Sequence, residues 1–176
     1  MNIVLLGYMG SGKSTIGQIL ARELNYNFID FDDFLQEREK MTIKEIFNVK
    51  GEIYFRKLEN KYLKEVLEIQ PATVISLGGG TPCYGDNMEI IKNSGNVTVY
   101  IKVAIEELTA RLWKARAARP LLTHQDTPEK MDEFVRKHLF ERSFYYHQAS
   151  IKVLADGRSA LKIAHEIKAS VKLNGI

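Results

Sequence analysis

Gly7-Tyr8-Met9-Gly10-Ser11-Gly12-Lys13-Ser14 stands between an apolar run, Ile3 to Leu6, and a stretch of helical apolar spacing, Ser14 to Leu24. The octet fits G-x-x-x-x-G-K-[ST], and a strand before it with a helix after it is the context that pattern requires. Glycines let the backbone wrap phosphates with its N–H groups inward, and the helix N-terminus adds partial positive charge. In this arrangement Gly10, Ser11, Gly12, Lys13, Ser14 and Thr15 hold a nucleoside triphosphate. Lys13 reaches the β and γ phosphates, and the Ser14 hydroxyl ligates magnesium.

Working outward, further apolar runs at Phe28 to Ile29, Val74 to Leu77, Val97 to Ile101 and Ile151 to Leu154 read as buried strands. Helical spacing fills Glu52 to Ile69, Ile105 to Trp113, Pro128 to Tyr146 and Ala160 to Leu173. Strands alternating with helices predict an α/β fold on a parallel sheet, and continuous apolar strands fit a sheet covered on both faces. Two stretches break the alternation. From Phe31 to Ile69 the pattern stays helical, with Thr42-Ile43-Lys44-Glu45 reading as a capping box, which predicts a helical insertion over about 31–69. Lys114 to Gln125 has no apolar periodicity and ends before Thr127-Pro128, an N-cap and first-turn pair; it predicts a mobile lid over about 112–125. The core of a single domain is then 1–30, 70–110 and 126–176.

The chain has 176 residues, is 45% hydrophobic and 27% charged, and carries a formal net charge of +3, enough apolar content for one core without staples. No stretch approaches the ~20 apolar residues of a membrane-spanning helix. Cys83 is the single cysteine, so no disulfide framework exists, and the short N-terminal apolar run lacks the cationic flank of a signal peptide; a cytoplasmic setting is expected. The charge excess is local. Leu108 to Gln125 contains Arg111, Lys114, Arg116 and Arg119 with no acidic residue, and the remainder has 21 basic against 22 acidic residues. That distribution argues for cations carried over triphosphate by a lid, with Arg119 entering the site, and against a general nucleic-acid binder.

Several residues point to the acceptor. Asp30 and Asp32 follow the second strand at the edge where ligands bind in open parallel sheets; one supports hydrated magnesium and the other positions an attacking hydroxyl. Asp33 reads as the N-cap of the next helix. Arg56 and Glu59 share a helix face, which offers a held guanidinium to a carboxylate, although such a pair alone is more often a surface ion pair. Gly78-Gly79-Gly80 ends a core strand and bares backbone to a ligand. Arg142 and Tyr146 share a face late in their helix. His124, His138, His147 and His165 lack metal-ligand spacing and receive no role, and Trp113 reads as a packing group.

Gly7 to Thr15, Asp30-Phe31-Asp32, Gly51-Glu52 with Phe55-Arg56, Ser76 to Gly80, Arg119-Pro120-Leu121-Leu122, and Arg142 with Tyr146 together resemble the shikimate kinase family of P-loop kinases, in family order and over nearly the whole chain. The resemblance implies a three-layer sandwich with a five-stranded parallel sheet in the order 2-3-1-4-5, a substrate-binding insertion and a lid. It implies ATP-dependent phosphorylation of the shikimate 3-hydroxyl with Mg2+, on the route to aromatic amino acids, by a monomer. In those terms Asp32 binds shikimate hydroxyls, Arg56 and Arg142 clamp its carboxylate, Gly78, Gly79 and Gly80 line its site, Arg119 is the lid arginine and Asp30 reaches magnesium through water. Arg158, after the last strand, is expected near the adenine, where Arg111 and Arg116 also cluster. Lys40 stands where many relatives have glycine, so a helix stop built on a left-handed glycine must be made differently here. The rivals are another small-metabolite kinase of the same fold, such as a gluconate kinase, and a catalytically silent nucleotide-binding module.

Overall fold

The computed structural model describes residues 1–116, 122 and 124–173. Its five strands are β1 (Ile3–Leu6), β2 (Asn27–Asp30), β3 (Thr73–Ser76), β4 (Val97–Lys102) and β5 (Ile151–Leu154). All pair in parallel, in the order β2-β3-β1-β4-β5. The register aligns Asp30 with Ser76, Ser76 with Leu5 and Leu6 with Tyr100, so the carboxyl ends emerge together. Interior β1 and β3 are buried at every position, while edge strand β5 alternates buried and exposed.

The helices are α1 (Lys13–Leu24), α2 (Phe31–Glu39), α3 (Ile43–Lys50), α4 (Glu52–Leu67), α5 (Asn87–Asn93), α6 (Ile105–Ala115), α7 (Pro128–Tyr146) and α8 (Ala160–Leu173), with a 3-10 turn at Thr81–Cys83. Right-handed crossovers fix their layers. Going from β1 to β2 runs toward one edge of the sheet and puts α1 on one face, where α8 joins it. Every later crossover runs the other way and puts its helices on the opposite face, where α4 meets α5 and α6 meets α7. Helix α1 buries Ile16, Leu20 and Ala21 against the sheet, each large side chain contributing about 1.5–3 kcal/mol. Its closest approach is at Gly17, where an added Cβ would lie 2.6 Å from the Phe28 ring.

Most boundaries fall within two residues of those read from the sequence, and the Thr42–Glu45 capping box and the Thr127 cap are both present. Two expectations are corrected, and the Lys40 stop is given its form. Asp30, not Asp33, caps α2: its carboxylate accepts the Asp32 amide at 3.1 Å, because the helix starts one residue after the strand ends. Lys40 itself takes the left-handed conformation (φ 52°) and its backbone N–H bonds Gln36 O, so the left-handed stop is kept without glycine. Helix α6 also runs on to Ala115, into the stretch read as lid. Helix α5 and the 3-10 turn were not foreseen. Arg119, Pro120 and Leu121 lie outside the described residues.

Candidate active site

The phosphate loop owes its shape to φ values of 79° at Gly10 and 90° at Gly12, a region that L side chains rarely adopt. Lys13 lies largely buried across the loop, its Nζ donating to Gly7 O at 2.9 Å and Tyr8 O at 3.0 Å. Ser14 Oγ donates to Asp30 Oδ2 at 2.6 Å. Asp30 thus caps α2 with one oxygen and meets the helix-start hydroxyl with the other.

A cleft of about 400 Å³ opens at the carboxyl ends of β1, β2 and β3, lined by Gly10, Gly12, Lys13, Ser14, Thr15, Asp30, Asp32, Gly78 and Gly79 together with Met9, Ser76 and Leu77. From Gly10 to Thr15 only Ser11 is absent from the lining: its side chain is buried, with no hydrogen-bond partner for the hydroxyl among the described residues, and its amide donates to Tyr8 O. The Asp32 carboxyl is pushed up to about 6, first by burial, then by the neighbouring charges of Asp30 and Glu59, against the pull of Lys13. A carboxylate poised this near neutrality, beside a phosphate loop, suits the handling of a hydroxyl proton.

The triple glycine serves by lacking side chains. A Cβ on Gly78 would lie 2.7 Å from Asp32 Oδ1, one on Gly79 would lie 3.1 Å from Met9 N, and one on Gly80 would lie 3.3 Å from Arg56 Nη1. Each position leaves room for a different part of the site. Arg56 donates from Nη1 to Glu59 Oε2 and from Nε and Nη2 to Glu52 Oε1. Glu59 is buried and also accepts from Thr81 Oγ1 at 2.7 Å, so this ion pair belongs to the site rather than the surface. Burial pushes the Cys83 thiol up to about 11, against the weaker pull of the Arg142 and Arg56 charges, so it is neutral.

The family model for shikimate kinase matches residues 9–172. The chain belongs to the shikimate kinase family. It is 46% identical over 165 residues to the shikimate kinase of Flavobacterium johnsoniae, covering 94% of this chain and 95% of that one. The crystal structure of the shikimate kinase from Bacteroides thetaiotaomicron superposes with a TM-score of 0.89 at 36% identity, covering 98% of both chains. The shikimate kinase from Acinetobacter baumannii in complex with shikimate gives 0.87 at 30% identity, covering 98% of this chain and 93% of that one.

Not every expected residue of this shikimate kinase family member joins the cleft. Arg158 donates to Leu154 O and pairs with Glu166, on the turn after β5. Arg111 donates to Gly10 O at 3.0 Å and pairs with Glu107, bracing the loop from α6, while Arg116 lies over Trp113. Arg142 Nη1 donates to His138 O. Tyr146 donates its hydroxyl to Gly79 O at 2.5 Å. His138, given no role from the sequence, meets Tyr8 Oη through Nδ1 at 2.8 Å, and burial with the Arg142 charge pulls its imidazole down to about 4. It is therefore neutral and ties α7 to the phosphate loop. No spacing rule pairs residues 130 positions apart, so only the apolar burial of α7 hinted at this contact.

Proposed function

We propose that this chain transfers the γ-phosphoryl group of ATP to the 3-hydroxyl of shikimate, forming shikimate 3-phosphate and ADP. The observation that carries this reading is the meeting, in one cleft, of Lys13, the Ser14–Asp30 pair and Asp32, with the Arg56 fork joined to it through Gly80. Phosphoryl transfer asks mainly for positioning and charge neutralisation. Lys13 and the loop amides hold the triphosphate. Asp32 accepts a hydrogen bond from the 3-hydroxyl and takes its proton as the oxygen–phosphorus bond forms and the β–γ bridge breaks toward ADP. Arg56 and Arg142 hold the carboxylate of shikimate, while Gly78, Gly79 and Gly80 leave room for its ring. Arg119 supplies a further cation from the lid, by the Arg-Pro-Leu-Leu pattern.

The Ser14 hydroxyl beside the Asp30 carboxylate is an oxygen pair that suits Mg2+, and among the described residues no group of three or more His, Cys, Asp or Glu could hold a metal by itself. That fits an ion that keeps its waters and takes most remaining ligands from phosphate. When bound, it neutralises charge on the β and γ oxygens; Ser14 would ligate it and Asp30 would hold it through water. The chain is further proposed to act as a cytoplasmic monomer. Coupled ADP release with Mg2+ and ATP, compared across shikimate, gluconate and nucleoside monophosphates, tests the function. Release that depends on shikimate is expected, and release only with another acceptor overturns it.

A further inference from the structure

The segment Thr81–Asn87, which directly follows the triple glycine, is held onto α4. Asn60 Nδ2 donates to Asp86 Oδ1 at 2.7 Å and Asn87 Oδ1 at 2.8 Å, and Asn87 Nδ2 donates to Thr81 O at 2.8 Å. Held in this way, the segment grips the Arg56–Glu59 pair at both ends. Thr81 bonds Glu59, and the half-buried Tyr84 ring lies under the Arg56 guanidinium, with Cζ 3.5 Å from the ring centroid. An arginine carries five N–H donors in one plane. Among the described residues three of them are used, Nε and one on Nη2 by Glu52 and one on Nη1 by Glu59. One donor on each terminal nitrogen is left.

Resting on the function proposed above, we infer that Tyr84 is a positioning residue for acceptor binding: its ring fixes the guanidinium plane so that the two remaining donors meet the acceptor carboxylate. The two glutamates hold Arg56 by its edge, and edge contacts alone leave the group free to rock about the line joining them. A ring with its centroid 3.5 Å from the guanidinium carbon stops that rocking. It also removes water from one face of the cation and so strengthens the in-plane contacts. A planar carboxylate entering edge-on is the ligand that such an arrangement selects, because bidentate pairing requires coplanar groups.

The test compares Tyr84→Leu, which removes the ring, with Tyr84→Phe, which keeps it. In Tyr84→Leu the shikimate KM should rise about three- to tenfold, the range of a partly desolvated cation–π contact, with kcat and the ATP KM within about twofold of the unsubstituted protein. Tyr84→Phe should restore the unsubstituted KM. With the methyl ester of shikimate as acceptor, Tyr84→Leu and the unsubstituted protein should differ by less than about twofold, since the ionic carboxylate contact is gone from both. An unchanged shikimate KM in Tyr84→Leu, or equal rises in the shikimate and ATP KM, would overturn the inference. So would a penalty that persists with the ester. If Tyr84→Leu does not fold, Tyr84→Gln is read by the same criteria. Absence of shikimate-dependent turnover in the unsubstituted protein would instead overturn the function.

Discussion

The two halves of the cleft are built in different ways. The phosphate side is nearly all backbone and contiguous chain: Gly7 to Thr15 supply the loop, its lysine and its hydroxyl, and Arg111 braces it through Gly10 O. The proposed acceptor side draws on side chains from distant segments: Asp32 from α2, Arg56 from α4, the glycines and Tyr84 after β3, and Arg142 from α7, which stands outside the cleft lining itself. A phosphate presents the same shape in every nucleotide, so a loop geometry recognises it. A particular small acid needs its carboxylate and hydroxyls met separately, and only side chains held by other side chains can do that.

Substitutions should therefore split along this line. The largest effect is expected at Lys13→Ala, with kcat falling by at least ~10³ through loss of a cation at the transferring phosphates, while direct titration shows shikimate affinity nearly unchanged. Equal loss of both would break the separation. Asp32→Asn should lower kcat about 10²- to 10³-fold. In the unsubstituted protein kcat/KM should climb with pH through about 6 as Asp32 ionises. Because that pKa is raised, Asp32 costs no stability below about 4, and its cost grows as pH rises through 6. Asp32→Asn is thus expected to be more stable by ~1–3 kcal/mol at pH 7, with the gain vanishing toward pH 4 in denaturant titrations.

Arg56→Ala comes next, raising the shikimate KM about 10- to 100-fold through loss of a charge-assisted fork while leaving the ATP KM in place. A matching rise in the ATP KM would mean that the halves are not independent. Lys40→Gly lies outside both. Relieving the left-handed lysine should stabilise the fold by ~0.5–1 kcal/mol, read as a rise of a few degrees in Tm, with both KM values constant.

The same division explains what could be read in advance. The phosphate loop, the caps at Thr42 and Thr127 and the extent of each strand rest on neighbours in sequence, so local patterns carry them. Reading Asp33 as the cap places the start of α2 at Phe34, three residues late; the strand runs straight into the helix, so Asp30 is the residue at the break. The Lys40 stop shows that a left-handed turn forms here on a lysine, a residue that no local pattern marks for it. Tyr84 on Arg56, Thr81 on Glu59 and His138 on Tyr8 join residues 22 to 130 positions apart, and spacing says nothing of such pairs. Arg119, drawn from the Arg-Pro-Leu-Leu pattern, lies outside the described residues and rests on the sequence.

The strand order has one more effect. Loop, triple glycine and Asp30 leave adjacent strands β1, β3 and β2 at one level, and neighbouring parallel strands lie about 4.8 Å apart whatever their side chains. The separation between the nucleotide and acceptor halves is thus measured out in ladder spacings, a ruler that substitution cannot lengthen. Helices around it can be extended, capped differently or recharged while the distance over which phosphorus must travel stays set by the peptide backbone.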